Sequence, residues 1–452
     1  MAAGLESFGR VFPPVSDAID AAEAVRRLRA GEACPDSLLA YGNGRSYGDS
    51  CLNPAGTLID MRSMNRVIAF DPLSGLIEAE AGALLSDIIA FVAPHGFFPQ
   101  VVPGTQFVTL GGAIANDVHG KNHHRRGTFG CHVEAFTLLR SDGKTYRCSP
   151  DTNPQLYSAT IGGLGLTGLI LTATIRLMRV SSLDVLERVV PFRDLGEFFD
   201  LVEEADFANE YAVAWIDQLA RMRSAGRGLL MTGNHAEHGS VSATRPGQSL
   251  SVPFQPPVNL LNRPVLKVFN RAYRVLRGFS QKPHGAPYQR FFFQLDGVGD
   301  WNRLYGPSGL FQHQSVLPEE SARDAIPELL ATAKKAGQGS FLTVLKRFGS
   351  VRSPGLISFP RAGYTLTLDF PNRGAKTLAV LKELDALTIE AGGAVNPYKD
   401  ARMDAETFAA SFPNWRDLEA LRDPAFISRF WQRTAGEMFG HATHGTEVRA
   451  AE

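Results

Sequence analysis

Hydrophobic spacing changes its period several times along the chain. Leu76-Ile77-Glu78-Ala79-Glu80-Ala81 alternates as a strand does, and residues 84–92 then switch to helical spacing. Residues 136–147 predict a hairpin around Ser141-Asp142-Gly143. Residues 156–160 read as the end of a helix and residues 169–175 as a strand. Farther on, 215–217 and 340–348 are candidate strand segments. In 364–370, Leu366, Leu368 and Phe370 alternate with Thr365, Thr367 and Asp369, which predicts a half-buried strand. Residues 375–390 have the spacing of an amphipathic helix ended by Gly392-Gly393. The class is α+β. The glycine-rich motifs cease near residue 180, so the expected division is 1–181, 182–393 and a C-terminal return over 394–452.

Inside the second unit lies a segment at about 236–287, expected to be mobile, with Pro, Ser and Gly at both ends. Its middle, 260–282, carries Arg263, Lys267, Arg271, Arg274, Arg277 and Lys282 and no acidic residue. On a wheel of ~100° per residue the first five cations form one stripe. Val265, Leu266, Val268, Phe269, Tyr273, Val275, Leu276 and Phe279 take the other side. Such a helix suits an anionic membrane surface, or packs as an ordinary surface helix on its own domain. Pro264 is expected to confine it to the residues beyond.

With 452 residues the chain can bury two cores. Its 46 basic and 46 acidic residues cancel, which argues against a general nucleic-acid partner. Cys34, Cys51, Cys131 and Cys148 lack metal-ligand spacing and read as reduced thiols rather than a disulfide framework. No signal pattern opens the chain and no apolar run is long enough to span a bilayer, so a cytoplasmic location, peripheral at the inner membrane, is expected.

The chemistry concentrates in two glycine-rich stretches. One is Gly42-Asn43-Gly44-Arg45-Ser46-Tyr47-Gly48-Asp49; the other spans 103–124, PGTQFVTLGGAIANDVHGKNHH. Glycine lets backbone amides approach a pyrophosphate closely, and His, Lys and Tyr beside it suggest a dinucleotide next to a reaction centre. No Gly-Lys-Ser/Thr follows, so this is no nucleoside-triphosphate loop. Residues 163–168 do fit G-x-G-x-x-G, but they lead from a helix into a strand, the reverse of a Rossmann turn.

These residues resemble the vanillyl-alcohol-oxidase-type (PCMH-type) flavoproteins and, within them, the decaprenylphosphoryl-β-D-ribose 2′-oxidase family. The likeness is carried by GRSYGD (44–49), PGT (103–105), GGAIANDVHGKNHH (111–124), GLTG (165–168), AWID (214–217), DWNRLYGP (300–307), LDFP (368–371) and YKDAR (398–402), and covers nearly the whole chain. PGT and the Gly-Gly pair are shared across the superfamily; HGKNHH, DWNR-x-YGP and KDAR are much narrower.

The resemblance implies a two-part FAD-binding domain over 1–181 and a substrate (cap) domain built on an antiparallel sheet with helices. It implies FAD held by Gly42, Asn43, Gly44, Arg45, Ser46, Tyr47, Gly48, Gly104, Thr105, Thr109, Gly111, Gly112, Asn116, His119 and Gly120, with Ile170, Asn396 and Lys399 completing the pocket. Many relatives attach the flavin through a histidine where Tyr47 stands, so noncovalent FAD is expected. Lys121, Trp215, Arg303, Gln312, Gln314 and Lys346 are implied to bind substrate, and Lys399 and His119 to act in catalysis. Thr367 stands where the family carries a pocket cysteine, and Phe292 where it carries a pocket tyrosine. The tail after Pro424 also departs from the family pattern.

Oxidising a secondary alcohol requires hydride to leave carbon while the hydroxyl loses a proton. Lys399 is suited to stabilise negative charge on the reduced ring, His119 to position the sugar or relay its proton, and Lys121 and Lys346 to hold a phosphate as point charges. The expected reaction is oxidation of the 2′-hydroxyl of a lipid-linked polyprenylphosphoryl ribose, with a short-chain dehydrogenase/reductase as the second epimerase subunit. An aldonolactone or sugar-alcohol oxidase of the same fold is the nearest rival; a flavin-binding protein without turnover is the rival of another class.

Overall fold

The structure, a computed structural model, describes residues 4–32, 37–220, 226–243, 250–279, 281–337, 339–340 and 342–440. The first domain carries two sheets. Ala18–Asp20, Thr57–Asp60 and Leu38–Tyr41 run parallel, with Thr57–Asp60 in the centre. The other sheet is antiparallel and orders Val67–Asp71, Leu76–Glu80, Leu169–Arg179, Val133–Leu139 and Thr145–Cys148, with Phe97–Pro99 also paired to Leu169–Arg179. Ile77 and Ala79 face the core, as the alternation requires, and helix Leu85–Val92 buries Leu85, Ile88, Ile89 and Val92. The hairpin closes with Leu139 opposite Thr145, and Gly143 takes φ 77°, a turn conformation that disfavours a side chain. Helix Pro154–Thr160 and strand Leu169–Arg179 bracket 163–168, the order that excludes a Rossmann turn.

The second domain is an eight-stranded sheet, antiparallel throughout. Its order is His284–Ala286, Val185–Phe192, Gly228–His235, Tyr211–Ile216, Val344–Phe348, Gly363–Pro371, Leu310–Leu317 and Ala394–Val395. The last strand carries the sheet just past residue 393. Helices Leu195–Ala208, Glu319–Lys335 and Ala375–Glu390 cover one face, packing Phe198, Ile326 and Leu381 into one core with Leu366, Leu368 and Phe370. Gly363–Pro371 is buried at every position rather than half-buried. Its polar side is not wet because the opposite face of the sheet lies against the first domain.

The chain end returns to that first domain. The Leu38 N–H donates to the Ala425 carbonyl at 2.6 Å, and the Ile427 N–H to the Leu38 carbonyl at 2.9 Å. Among the described residues Cys51, Cys131 and Cys148 are free thiols; Cys34 lies outside them.

The basic segment forms helix Arg263–Gly278. It starts before Pro264, not beyond it: in the first turn a missing N–H costs nothing, and Asn262 Oδ1 caps the Val265 N–H at 3.2 Å. The faces also differ from the wheel reading. Leu266, Asn270 and Arg277 point inward, while Val265, Val268, Val275, Leu276 and Phe279 are exposed. Arg277 is drawn in by the fully buried Glu187, to which it donates at 2.5 Å; an unpaired carboxylate there would be costly. Asn270 donates to Asp217 at 2.9 Å. Of the segment expected to be mobile, 244–249 and 280 lie outside the described residues; the helix itself is anchored to the sheet.

Candidate active site

Between the glycine-rich loops and the open face of the cap sheet lies a cavity of about 650 Å³. Gly42, Asn43, Gly44, Arg45, Ser46 and Tyr47 line it with Gly104, Thr105, Thr109, Gly111, Gly112, Asn116, His119, Gly120 and Ile170. Lys121, Trp215, Gln312, Gln314, Lys346 and Lys399 face the same space, as do Thr367 and Phe292. Residues distant in sequence thus converge because adjacent cap strands present alternate side chains to one face.

Gly48, Asn396 and Arg303 are not in the lining. A Cβ on Gly48 would sit 1.5 Å from the Asp400 carbonyl, so this glycine lets the 398–402 loop pack directly on the 44–49 loop. Asn396 is fully buried behind Gln314. Arg303 donates to the Val252 carbonyl at 2.8 Å and pairs with Asp300 at 3.3 Å. It braces the cap insert, since helix Trp301–Tyr305 turns Trp301, not Arg303, toward the cavity.

Other lining residues had weaker signals. Asp296 accepts the Gln106 N–H at 2.9 Å and so ties the cap to the PGT loop; nothing in its local sequence marks it. Phe269 and Tyr273 reach the cavity from the basic helix, where Tyr273 packs 5.0 Å from Trp215. Helical spacing grouped both with the apolar residues but could not say that they flank a cavity.

The two loops interlock: a Cβ on Gly42 would lie 2.5 Å from Thr109 Oγ1, which accepts the Gly112 N–H at 3.1 Å. Arg45 holds its guanidinium 5.7 Å from the Phe8 and Phe107 ring centroids, and its buried Nε has no hydrogen-bond partner among the described residues. Close glycine backbones and an unpaired buried donor fit the pyrophosphate of FAD. Bound there, FAD supplies a two-electron acceptor for hydride from the alcohol carbon.

The rest of the cavity is electropositive and desolvated. Burial lowers Lys121 to about 7 and Lys346 to about 7, the latter helped by Lys121 and Lys399. Lys399 is lowered to about 8 by burial, against the pull of Asp369. Burial raises Asp369 to about 7, with Gln312 and Lys399 acting the other way; its Oδ1 accepts from Gln312 at 2.5 Å. His119 is held well below its usual range by burial and then by Lys346, so the ring is neutral. Gln314 links the two sides, with Nε2 3.0 Å from both His119 Nε2 and Thr365 Oγ1.

The FAD binding domain family matches residues 17–149. With the cavity, this defines an FAD-dependent oxidoreductase acting on a CH–OH group. Over 441 residues the chain is 33% identical to decaprenylphosphoryl-β-D-ribose oxidase of Mycolicibacterium smegmatis, covering 93% of this chain and 94% of that protein. The chain belongs to the decaprenylphosphoryl-β-D-ribose oxidase family. An uncharacterised protein of Streptomyces coelicolor is 34% identical over 361 residues, 76% of this chain and 96% of its own. L-gulonolactone oxidase of Mus musculus is 33% identical over 136 residues, 30% of each chain.

Proposed function

We propose that this enzyme oxidises the 2′-hydroxyl of a polyprenylphosphoryl-β-D-ribose to the keto sugar, the flavin half of an epimerisation to arabinose. The observation that carries the reading is likeness over 93% of the chain, cap included, to an oxidase named for that substrate. The lactone oxidase shares only 30% of the chain. The cationic cavity suits an anionic sugar phosphate. Anaerobic titration with a polyprenylphosphoryl ribose should bleach the oxidised flavin band, and L-gulonolactone should not. Bleaching by the lactone alone would transfer the function to the rival oxidase. The keto product, trapped by borodeuteride, should carry deuterium at C2; a short-chain dehydrogenase/reductase is the partner class that would reduce it from the other face.

A lipid-linked substrate gives the helix Arg263–Gly278 a second task, docking on an anionic bilayer. Among the described residues no helix is long and apolar enough to cross a membrane. This one instead exposes Val268 by 72%, Leu276 by 71% and the following Phe279 by 81%, with Lys267 and Arg271 exposed beside them. A membrane-surface helix needs that arrangement, with an apolar face for the acyl boundary and cations at headgroup level. The same helix supplies Phe269 and Tyr273 to the cavity, so a polyprenyl tail can pass from bilayer to site along it. Val268→Asp combined with Leu276→Asp should lower binding to phosphatidylglycerol vesicles at least about tenfold, since each buried aliphatic contributes ~1.5–3 kcal/mol. Flotation unchanged from the parent protein would reject the docking face.

A further inference from the structure

One backbone amide sets the orientations of Asn396 and Gln314 and, through them, the role of His119 Nε2. The Tyr398 N–H can only donate, and it reaches Asn396 Oδ1 at 3.1 Å. The Asn396 amide nitrogen must then point the other way, to Gln314 Oε1 at 2.9 Å. That leaves Gln314 Nε2 as the donor to Thr365 Oγ1 and to His119 Nε2, each at 3.0 Å. His119 Nε2 therefore accepts, and a neutral imidazole with an accepting Nε2 carries its proton on Nδ1. Nδ1 lies 3.1 Å from Lys346 Nζ. An ammonium has three donors and no acceptor, so it would meet the Nδ1–H donor to donor. A free amine receives that proton in its lone pair and still points an N–H at the Gly120 carbonyl, 3.4 Å away.

We propose that Lys346 rests as the uncharged amine and is the group that takes the proton of the substrate hydroxyl. The inference rests on the cavity being the alcohol-oxidising site, and it replaces the role of Lys346 as a charged phosphate clamp. A hydroxyl entering between the two nitrogens accepts the Nδ1–H of His119 and presents its own proton to Lys346. The O–H bond breaks and its proton forms an N–H bond on Nζ. The C–H bond breaks with its electron pair, which bound FAD would take up as hydride, and C–O becomes C=O. The new carbonyl oxygen is then held by the His119 N–H and the Lys346 ammonium, donors placed where charge develops.

The surroundings favour the uncharged form. Lys346 is desolvated, and the titratable groups that act on it or that it acts on are His119, His123, Lys121 and Lys399. Among the described residues it forms an ion pair with no carboxylate.

Competitive acetylation of the FAD-loaded protein, resolved by peptide mass spectrometry across a pH series, reads the state of this amine without substrate. Lys346 should titrate near neutral pH, well below the ordinary lysine value of ~10.4. Gln314→Glu should raise the Lys346 midpoint by about one unit or more, because a carboxylate takes the proton onto Nε2 and leaves Nδ1 to accept from an ammonium. An ordinary lysine midpoint in the parent protein would overturn the inference, as would a midpoint indifferent to Gln314→Glu. In stopped flow, Lys346→Arg, which keeps the charge but cannot accept a proton, should slow flavin reduction as far as Lys346→Met, about 10²–10⁴-fold. An arginine variant reduced at the parent rate would also overturn it. If the parent protein is not bleached by lipid-linked ribose at any pH, the substrate reading fails while the acetylation midpoint still decides the state of Lys346.

Discussion

Lys399→Ala is expected to bind FAD and to lose about 10²–10³-fold in the rate of flavin reduction, the usual cost of removing one preorganised charge-stabilising donor. Lys399 Nζ lies 4.2 Å from the Tyr47 ring centroid and 5.8 Å from that of Tyr398, so two aromatic rings flank the ammonium beside the cavity. Burial lowers its titration to about 8, with Asp369 holding it up. If the ammonium is the working form, the rate falls as pH rises through about 8. Lys346 works as the free amine, so its limb has the opposite sign: the rate rises with pH through about 7. The parent enzyme should therefore show a bell. Lys399→Ala should lose the alkaline limb, and its acid limb should move upward, because a like charge that lowers Lys346 is gone. Stopped-flow reduction across pH reads both changes. A variant with the parent rate and both limbs in place would remove Lys399 from the chemistry.

The parts of this molecule legible in the sequence are those set by local rules. Glycines at 42–48 and 104–112 announced two close backbone approaches, and both loops line one cavity. Periods of two and of 3.6 located the strands and helices, since each depends only on which side of an element is dry. What could not be read is what the dry side faces. Thr365, Thr367 and Asp369 mark the polar side of their strand, and alternation cannot tell water from buried surroundings or, at Thr367, from a cavity wall. Arg277 joined the outward cations on the wheel, yet Glu187, ninety residues earlier, reverses it. Asp296 and Arg303 lie close in sequence, and only the turn at Trp301 decides that the first reaches the cavity and the second does not. The proton position on His119 is more remote still. It depends on a chain through Gln314 and Asn396 to the Tyr398 amide, which no single motif contains.

That dependence on the 396–402 loop makes its anchor consequential, and Arg433→Ala should destabilise the protein by about 3 kcal/mol and release flavin more readily. Arg433 forks onto Asp49 at 2.8 and 3.0 Å and reaches Asp400 at 2.5 Å, with both carboxylates almost fully buried. It thus joins the GRSYGD loop to the KDAR loop behind Gly48, where the Asp400 carbonyl leaves no room for a Cβ. Removing it strands charge that burial cannot tolerate, although Arg429 at 3.6 Å from Asp49 and Arg402 at 3.4 Å from Asp400 keep the cost near the lower end for such pairs. The pH dependence has a definite sign. Burial alone pushes the Asp400 carboxyl up, but Arg402 and Arg433 together hold it below the usual range. Its contribution is therefore present above the unfolded pKa of ~3.9 and is lost only as pH falls through the folded value. Without Arg433 the burial cost prevails and the folded pKa rises. The penalty in the variant should then be small in acid and grow as pH rises toward neutral. Urea unfolding of parent and variant at pH values on either side of this range would show the gap widening with pH, and Arg433→Lys, a point charge without the fork, should recover only part of it. A gap that is absent, or that narrows as pH rises, would mean that Arg433 is not what holds the two loops together.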